Sequence, residues 1–78
     1  MYFLYLLLCE DGSIYTGIAT DVERRLKEHR DGVGAKYTRS RKPIRVVHTE
    51  SFKNRSLAQK REAEVKSWTR SRKLSLIK

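Results

Sequence analysis

The stretch YFLYLLLCEDGSIYTGI, residues 2–18, decides how this chain begins to fold. Residues 2–9 are aromatic or apolar with no polar alternation, which is typical of a central strand covered on both faces. The Asp-Gly pair that follows predicts a tight turn, because glycine tolerates a positive φ there. Residues 14–18 then predict the returning strand of a hairpin. Tyr5 and Tyr15 are therefore expected in one antiparallel hairpin.

A helix is predicted directly after the hairpin. Thr20 and Glu23 form a capping-box pattern, in which the hydroxyl and the carboxylate bind free N–H groups of the first helical turn. The helix should run to about Arg30. Arg25 and His29 are four residues apart and so share one stripe of this helix, which can face a site beside the sheet.

The second half of the chain predicts one more strand and one more helix. Residues 44–52 are rich in β-branched residues, and Ser56 with Gln59 is a second capping-box pattern that opens a helix through about Trp68. Ser71 is expected to cap a short terminal turn. The side chains expected to bury this helix and the tail are Leu57, Ala58, Ala63, Val65, Trp68, Leu74, Leu76 and Ile77. The predicted fold is a single α+β domain over residues 1–78, with a small three-stranded antiparallel sheet flanked by helices.

The charge balance indicates a polyanionic partner. Eighteen Lys and Arg oppose nine Asp and Glu, which gives a formal net charge of +9. Residues 1–31 hold four basic and six acidic residues, a net charge of −2, so the remainder carries +11. Such an asymmetry favours contact with the phosphates of a nucleic acid.

A basic loop is predicted between the first helix and the third strand, and Pro43 closes it. Basic residues interleaved with an aromatic one suit phosphate contacts and base stacking, so the nucleic-acid-binding candidates are Lys36, Tyr37, Arg39, Arg41 and Lys42. The alternative is a solvated surface that only increases solubility.

The single Cys9 excludes an intramolecular disulfide and a cysteine-based zinc site. Residues 2–9 are too short to span a bilayer and lack the pattern of a signal peptide. A cytoplasmic protein without membrane contact is the expectation, as a monomer rather than an oligomer.

A resemblance to a known family rests on short motifs in a fixed order along the whole chain. They are Tyr5-Leu6-Leu7, Cys9, Asp11-Gly12-Ser13, Tyr15-Thr16-Gly17, Glu23-Arg24-Arg25-Leu26, Gly34-Ala35-Lys36-Tyr37-Thr38 and Arg61-Glu62. With this order the chain resembles the GIY-YIG nuclease superfamily, and it is similar to small, stand-alone bacterial members of uncharacterised function.

The resemblance implies a catalytic layout around one scissile phosphate, formed by Tyr5, Tyr15, Arg25, His29 and Glu62, with Gly17 as a motif residue. A divalent Mg²⁺ or Mn²⁺ ion held by Glu62 would stabilise developing charge, and Arg25 would contact the phosphate. A tyrosine would act as general base or orient the attacking water, and His29 would assist proton transfer.

Each of these residues also has a purely structural interpretation. The two tyrosines can be ordinary cross-strand aromatics, and Gly17 a bulge or a point of close approach. Arg25 can join an ion-pair row with Asp21, and His29 can interact with the helix dipole. Glu62 can pair with Lys66, or Glu64 can take the metal role instead.

The leading functional hypothesis is a metal-dependent endonuclease that hydrolyses DNA phosphodiester bonds, in DNA repair or processing. The alternative is a non-catalytic nucleic-acid-binding module with a vestigial site. A third class, an interaction protein whose basic face binds an acidic protein partner, ranks last.

Overall fold

The computed structural model describes residues 1–33 and 41–77. The elements follow in the order β1 (Tyr2–Cys9), β2 (Ile14–Ala19), α1 (Val22–Arg30), β3 (Pro43–Phe52), α2 (Arg55–Lys66) and α3 (Arg70–Leu74). The three strands form one antiparallel sheet, and the helices flank it. This confirms the predicted fold class.

β1 is the central strand of the sheet, which has the order β2-β1-β3. Its middle residues, Leu4 to Leu7, are at most 1% exposed, as its unbroken apolar composition predicts. The turn after it relies on Gly12, whose φ is +83°. That conformation is strained for residues with a side chain, so the Asp-Gly pair sets the hairpin register locally.

The two faces of β1 have different roles, because alternate side chains of a strand project to opposite faces. Leu4 and Leu6 pack with Val65 of α2 in the main hydrophobic cluster. Tyr5 projects to the other face, where its hydroxyl meets His29 of α1. The core thus lies between the sheet and α2, and the predicted site residues of β1 and α1 meet on the opposite face.

The residue that caps α1 differs from the predicted one. Asp21, not Thr20, has the extended backbone of an N-cap, and its carboxylate accepts a hydrogen bond from the backbone N–H of Arg24 at 3.0 Å. Because the helix begins at Val22, Thr20 lies one position too early to reach that N–H. The predicted end of this helix at Arg30 is confirmed.

The caps of α2 and α3 are also shifted from the predicted residues. Asn54 caps α2 and accepts a hydrogen bond from the backbone N–H of Leu57 at 3.0 Å. The prediction of Ser56 is wrong because that residue lies inside the first helical turn. Thr69 caps α3 in the same way, so the prediction of Ser71 is wrong for the same reason.

The buried face of α2 is narrower than expected. Only Ala58 and Val65 are buried on this helix, while Leu57 is 43% exposed and Ala63 is exposed. A spacing of seven residues places Ala58 and Val65 on one stripe, and Leu57 falls beside it. The predicted contributions of Leu57 and Ala63 to the core are therefore wrong.

Trp68 lies outside α2, which ends at Lys66. It is half-buried and packs at the edge of the main cluster with the tail residues Leu74, Leu76 and Ile77, whose docking the sequence predicted. The guanidinium carbons of Arg61 and Arg72 lie 5.1 and 4.2 Å from its ring centroid. Trp68 thus joins α2, α3 and the tail rather than filling the centre of the core.

The hairpin turn between β1 and β2 is held by two distant arginines. Arg41 Nε lies 3.0 Å from the Asp11 carboxylate, and Arg70 Nε donates to the Gly12 carbonyl at 2.8 Å. The backbone N–H of Glu10 also donates to the carbonyl of Arg41 at 3.1 Å. We call residues 10–13 with Arg41 and Arg70 the turn clamp, because it ties three separate parts of the chain together.

Part of the predicted basic loop can be placed. Lys36, Tyr37 and Arg39 lie outside the described residues, whereas Arg41 is engaged in the turn clamp and Lys42 is exposed.

In the two described stretches of the chain, no helix combines the length and the apolar character that crossing a bilayer requires.

Candidate active site

The centre of the candidate site is a buried contact between Tyr5 of β1 and His29 of α1. The Tyr5 hydroxyl and His29 Nε2 are 2.8 Å apart, and both residues are 1% exposed. Tyr5 lies at the middle of the central strand, while His29 lies on the last turn of α1. The contact therefore forms only when α1 packs on the sheet.

Tyr15 completes an aromatic cluster with these two residues. Its ring centroid lies 5.1 Å from that of His29, in an edge-on arrangement, and 6.2 Å from that of Tyr5. Tyr15 is only half-buried, unlike Tyr5. Of the two tyrosines, Tyr15 is thus the one that a molecule in solution can reach.

Gly17 makes this close packing possible. It pairs directly with Tyr5 across the two strands. A Cβ at this position would lie 2.6 Å from the Tyr5 hydroxyl oxygen and 3.0 Å from Cε2 of Tyr15. The distance to Tyr5 is shorter than real Cβ contacts show, and the distance to Tyr15 is tight, so the glycine is required by the phenol of Tyr5 rather than by an unusual φ.

Arg25 lies one turn before His29 on α1 and joins the buried pair to the surface. Its Nη1 donates to Glu28 Oε1 at 2.8 Å, so its acidic partner is Glu28 and not the anticipated Asp21. The hydrogen bond to Glu28, together with one to the Tyr5 hydroxyl, raises the pKa of Arg25 above its usual value. Arg25 is permanently charged, and its side chain is 35% exposed.

The buried pair is held in its neutral form. Burial of the phenol, reinforced by the neighbouring Tyr15, raises the pKa of Tyr5 to about 12. Burial, with Arg25 adding to the effect, lowers the pKa of His29 below its usual value. The Tyr5 hydroxyl and His29 Nε2 share one hydrogen bond, and the tautomer of the imidazole sets which of the two atoms donates.

Glu62 approaches the site from α2. Its carboxylate is one of the charges that raise the pKa of Tyr5, although the smallest of them, so it acts on the site through space. Its carboxylate also forms an ion pair with Lys66, whose Nζ lies 3.4 Å away, as expected if Glu62 has a structural role. The rival Glu64 is 57% exposed and pairs with Arg61 instead. Of these two carboxylates, Glu62 is the one whose charge contributes to the raised pKa of Tyr5.

Arg61 fixes the helix turn that carries Glu62. Its guanidinium binds both carboxylate oxygens of Glu50 on β3, at 2.9 and 3.2 Å. His48 Nε2 lies 2.8 Å from the same carboxylate, and the bond from Arg61, followed by that from His48, lowers the pKa of Glu50. This network ties α2 to β3 and so sets where Glu62 stands relative to the sheet.

A metal ion bound at this site would have few protein ligands among the described residues. Within residues 1–33 and 41–77, no group of three or more His, Cys, Asp or Glu side chains is placed to hold one. Magnesium is commonly bound by one or two carboxylates, with substrate oxygens and water completing the shell. Glu62 fits a site of that open kind and does not fit a preformed metal cage.

An open cleft of about 210 Å³ lies beside Arg25. We call it the Arg25 cleft, and it lies between the end of β2 and the outer face of α1, lined by Ile18, Ala19, Thr20, Asp21, Arg24, Arg25 and Glu28. Two guanidinium groups in one small cleft suit a phosphate group. Of the other predicted site residues, Tyr5 and His29 are buried, Tyr15 is half-buried, and Glu62 lies on α2.

Glu28 is the residue of this site that sequence reasoning missed. It accepts from Arg25 at 2.8 Å and lies 3.6 Å from Arg24 Nε. Its spacing of three and four residues from these arginines was the available signal, because such neighbours meet on a helix surface. These ion pairs, the one with Arg25 first, lower the pKa of Glu28.

Comparisons with known proteins agree on one family. Residues 1–75 match the family described as the GIY-YIG catalytic domain. A UPF0213 protein of Haloquadratum walsbyi is 53% identical over 75 residues, which cover 96% of this chain and 84% of that protein. A UPF0213 protein of Staphylococcus aureus is 49% identical over 77 residues, which cover 99% of this chain and 94% of the relative.

Two solved structures share the fold. The solution structure of a UPF0213 protein from Bacillus halodurans matches with a TM-score of 0.60 and 49% identity, covering 97% of this chain and 82% of that one. The solution structure of a protein from E. faecalis matches with a TM-score of 0.62 and 52% identity, covering 92% and 77% of the two chains.

Proposed function

The chain belongs to the GIY-YIG family of catalytic domains, in its UPF0213 group, and from that premise we propose that it is a metal-dependent nuclease that hydrolyses DNA phosphodiester bonds, in DNA repair or processing. One observation carries the proposal. The side chains of Tyr5, Tyr15, Arg25 and His29 converge on one point of the sheet, and the charge of Glu62 acts on the same point.

Arg25 is the phosphate-binding residue of this proposal. Its planar guanidinium can hold two phosphate oxygens at once and stabilise the additional charge of the transition state. In the free protein Glu28 occupies it at 2.8 Å. An incoming phosphate therefore competes with Glu28 for Arg25.

The two tyrosines have different roles. Tyr5 is buried, its raised pKa keeps it protonated well above neutral pH, and it forms a hydrogen bond with His29, so it holds His29 in place. The half-buried Tyr15 is positioned to orient the attacking water. His29 is neutral and buried, and it packs against the Tyr15 ring, which fixes the direction of that phenol.

Glu62 is the residue that would hold Mg²⁺ or Mn²⁺. A bound divalent ion would supply charge neutralisation at the scissile phosphate and at the leaving oxygen. In the free protein Lys66 pairs with the same carboxylate, so this cation has to be displaced for an ion to bind. Glu62 and Lys66 are neighbours on one helix face, and a small side-chain rotation separates them.

The experiment is cleavage of labelled single-stranded, duplex, flap and branched DNA with Mg²⁺ or Mn²⁺. We expect Glu62→Ala and Arg25→Ala to lose about 100-fold or more in rate, which is typical for loss of one transition-state-stabilising group. Glu64→Ala and Lys27→Ala are the matched controls, since each removes the same charge from an exposed position on the same helix and should retain activity. Equal rates in all four variants would refute this site.

A non-catalytic nucleic-acid-binding module is the second candidate. It is favoured by the ion pair between Glu62 and Lys66, which places a cation on the carboxylate that would hold the metal. In this case the wild type binds DNA with a steep salt dependence but cuts none of the substrates with either ion.

A further inference from the structure

A second depression lies next to the Arg25 cleft. It has a volume of about 360 Å³ and is lined by Phe3, Thr20, Asp21, Val22, Glu23 and Thr49. Thr20 and Asp21 also line the Arg25 cleft, so the two depressions adjoin each other at the start of α1. We call the second depression the Phe3 cleft.

The floor of the Phe3 cleft is the same sheet face that carries Tyr5. Phe3 lies two residues before Tyr5 and projects to the same side, and Thr49 is the β3 partner of Tyr5. Tyr5 is 1% exposed because α1 covers it, whereas Phe3 is only half-buried. The sheet face is thus open just beyond the site, and an aromatic ring lies in that opening.

The chemistry of the Phe3 cleft differs from that of the Arg25 cleft. None of its six lining residues is basic, and two of them, Asp21 and Glu23, are acidic. A phosphate there would meet carboxylates with no lining cation. An uncharged planar group suits the site better, because Phe3 offers a stacking surface and the carboxylates accept hydrogen bonds from amino groups. Its volume is within the range of about 300–1,000 Å³ that is usual for small-molecule sites.

We propose that the Phe3 cleft binds the base of a nucleotide next to the phosphate held at Arg25, by stacking on Phe3, with preference for bases that carry an exocyclic amino group. The position of the phosphate rests on the proposed function. Stacking on a side chain requires a base that is not paired and stacked in a duplex. The cleft therefore selects substrates with an unpaired nucleotide beside the cleavage point, such as single strands, flaps and frayed ends.

The test is binding of short homopolymers of dC and dT to the isotope-labelled full chain in EDTA, where no metal-dependent cleavage occurs. We expect chemical-shift changes at the amides of Phe3, Thr20 and Thr49, and tighter binding of the dC strand than of the dT strand. Phe3→Leu keeps an apolar side chain but removes the ring, and should weaken binding about tenfold or more. Phe3→Trp should restore it.

Leu57→Ala is the matched control, because Leu57 is an exposed apolar residue on α2. The proposal is overturned if Phe3→Leu binds as tightly as the wild type, if shifts appear only around Arg24 and Arg25, or if no strand binds. Equal affinity for dC and dT overturns the preference for amino groups. These binding measurements need no turnover, so they separate the two proposals. Chemical-shift changes at Phe3 without any DNA cleavage support base binding in the Phe3 cleft and count against the nuclease. DNA cleavage with an unchanged KM in Phe3→Leu supports the nuclease and counts against base binding in the cleft.

Discussion

At the scale of single residues, the candidate site depends on how tightly the Tyr5 phenol is enclosed. Gly17 pairs with Tyr5 across the two strands, His29 forms a hydrogen bond with the phenol hydroxyl, and the Tyr15 ring centroid lies 6.2 Å from that of Tyr5. The residue types were available from the sequence through the family resemblance. Their burial was not, because it depends on α1 packing against the sheet. Burial is what raises the pKa of Tyr5 and leaves Tyr15 as the accessible phenol.

Gly17→Ala should displace the Tyr5 phenol. The new methyl group would lie 2.6 Å from the hydroxyl oxygen, so the ring has to move away from His29. We expect a loss of roughly 1–3 kcal/mol in the free energy of unfolding, as for other overpacked interiors. Urea denaturation and the NMR shifts of the His29 ring would measure the two effects. Gly32→Ala is the control: it strains the backbone at a φ of +78° but meets no neighbour, so the His29 shifts should not change.

The pH dependence of stability should show a contribution from Tyr5. Its folded-state pKa of about 12 lies above its ordinary value of 10.0, so between these values the unfolded chain releases the proton while the folded chain retains it. The contribution of Tyr5 to the free energy of unfolding is fully present below pH 10. It is lost as the pH rises to about 12, at up to about 1.4 kcal/mol per pH unit. The difference in unfolding free energy between wild type and Tyr5→Phe should narrow over this window. A constant difference would contradict the raised pKa.

Glu28→Gln should make Arg25 more available to a phosphate. The wild-type carboxylate neutralises Arg25 at 2.8 Å, and the amide keeps the shape without the charge. We expect DNA to bind several-fold more tightly at low salt, because the phosphate no longer displaces a charged competitor. Fluorescence anisotropy over a salt series would measure this. Glu10→Gln makes the same charge change at the exposed hairpin turn and should leave the affinity close to that of the wild type.

At the scale of elements, the strands were predictable and the helix starts were not. The first hairpin follows from a local apolar pattern and a local turn, which later contacts do not alter. A helix starts after its N-cap, which is the last residue with an extended backbone, and several adjacent polar residues can take that position. Thr20 and Asp21 are both competent caps, and packing of the preceding strand decides between them in favour of Asp21.

The cap of α2 provides a quantitative test at this scale. Asn54→Ala removes the side-chain oxygen that accepts from the Leu57 N–H at 3.0 Å, and should cost about 0.5–2 kcal/mol of stability. Ser56→Ala, two residues later, removes an exposed hydroxyl inside the helix and should change stability by less than about 0.5 kcal/mol. Urea denaturation of both variants measures the difference. A larger effect at Ser56 would place the helix start later than the structure does.

At the scale of the whole molecule, distant segments are joined mainly by arginines. Arg61 connects α2 to β3, Arg41 connects the start of β3 to the hairpin turn, and Arg70 connects α3 to the same turn. The sequence predicted the excess of positive charge and linked it to nucleic acid. It could not reveal that several of these cations already have internal partners, because those partners lie 11 to 58 positions away in the chain.

The turn clamp can be tested by a double-mutant cycle. Arg41→Ala and Arg70→Ala should each cost up to about 1 kcal/mol, because both contacts are partly exposed to solvent. The double variant should differ from the sum of the single effects by about 0.5 kcal/mol or more, since both arginines hold one turn. Strict additivity would show that the two contacts act independently. Ser71→Ala, an exposed neighbour of Arg70, is the control in the same denaturation assay.

The position of β1 has a consequence for how the chain folds. β1 precedes the other strands in the sequence but occupies the middle of the sheet, where Tyr2 pairs with Phe52. The β1–β2 hairpin closes locally, on a timescale of about 1–10 μs, whereas pairing with β3 has to close a long intervening loop and is correspondingly slower. Until then one edge of an apolar, aromatic strand remains unpaired, which is a template for association between chains. Refolding yield should therefore fall as protein concentration rises, with the loss arising before β3 docks.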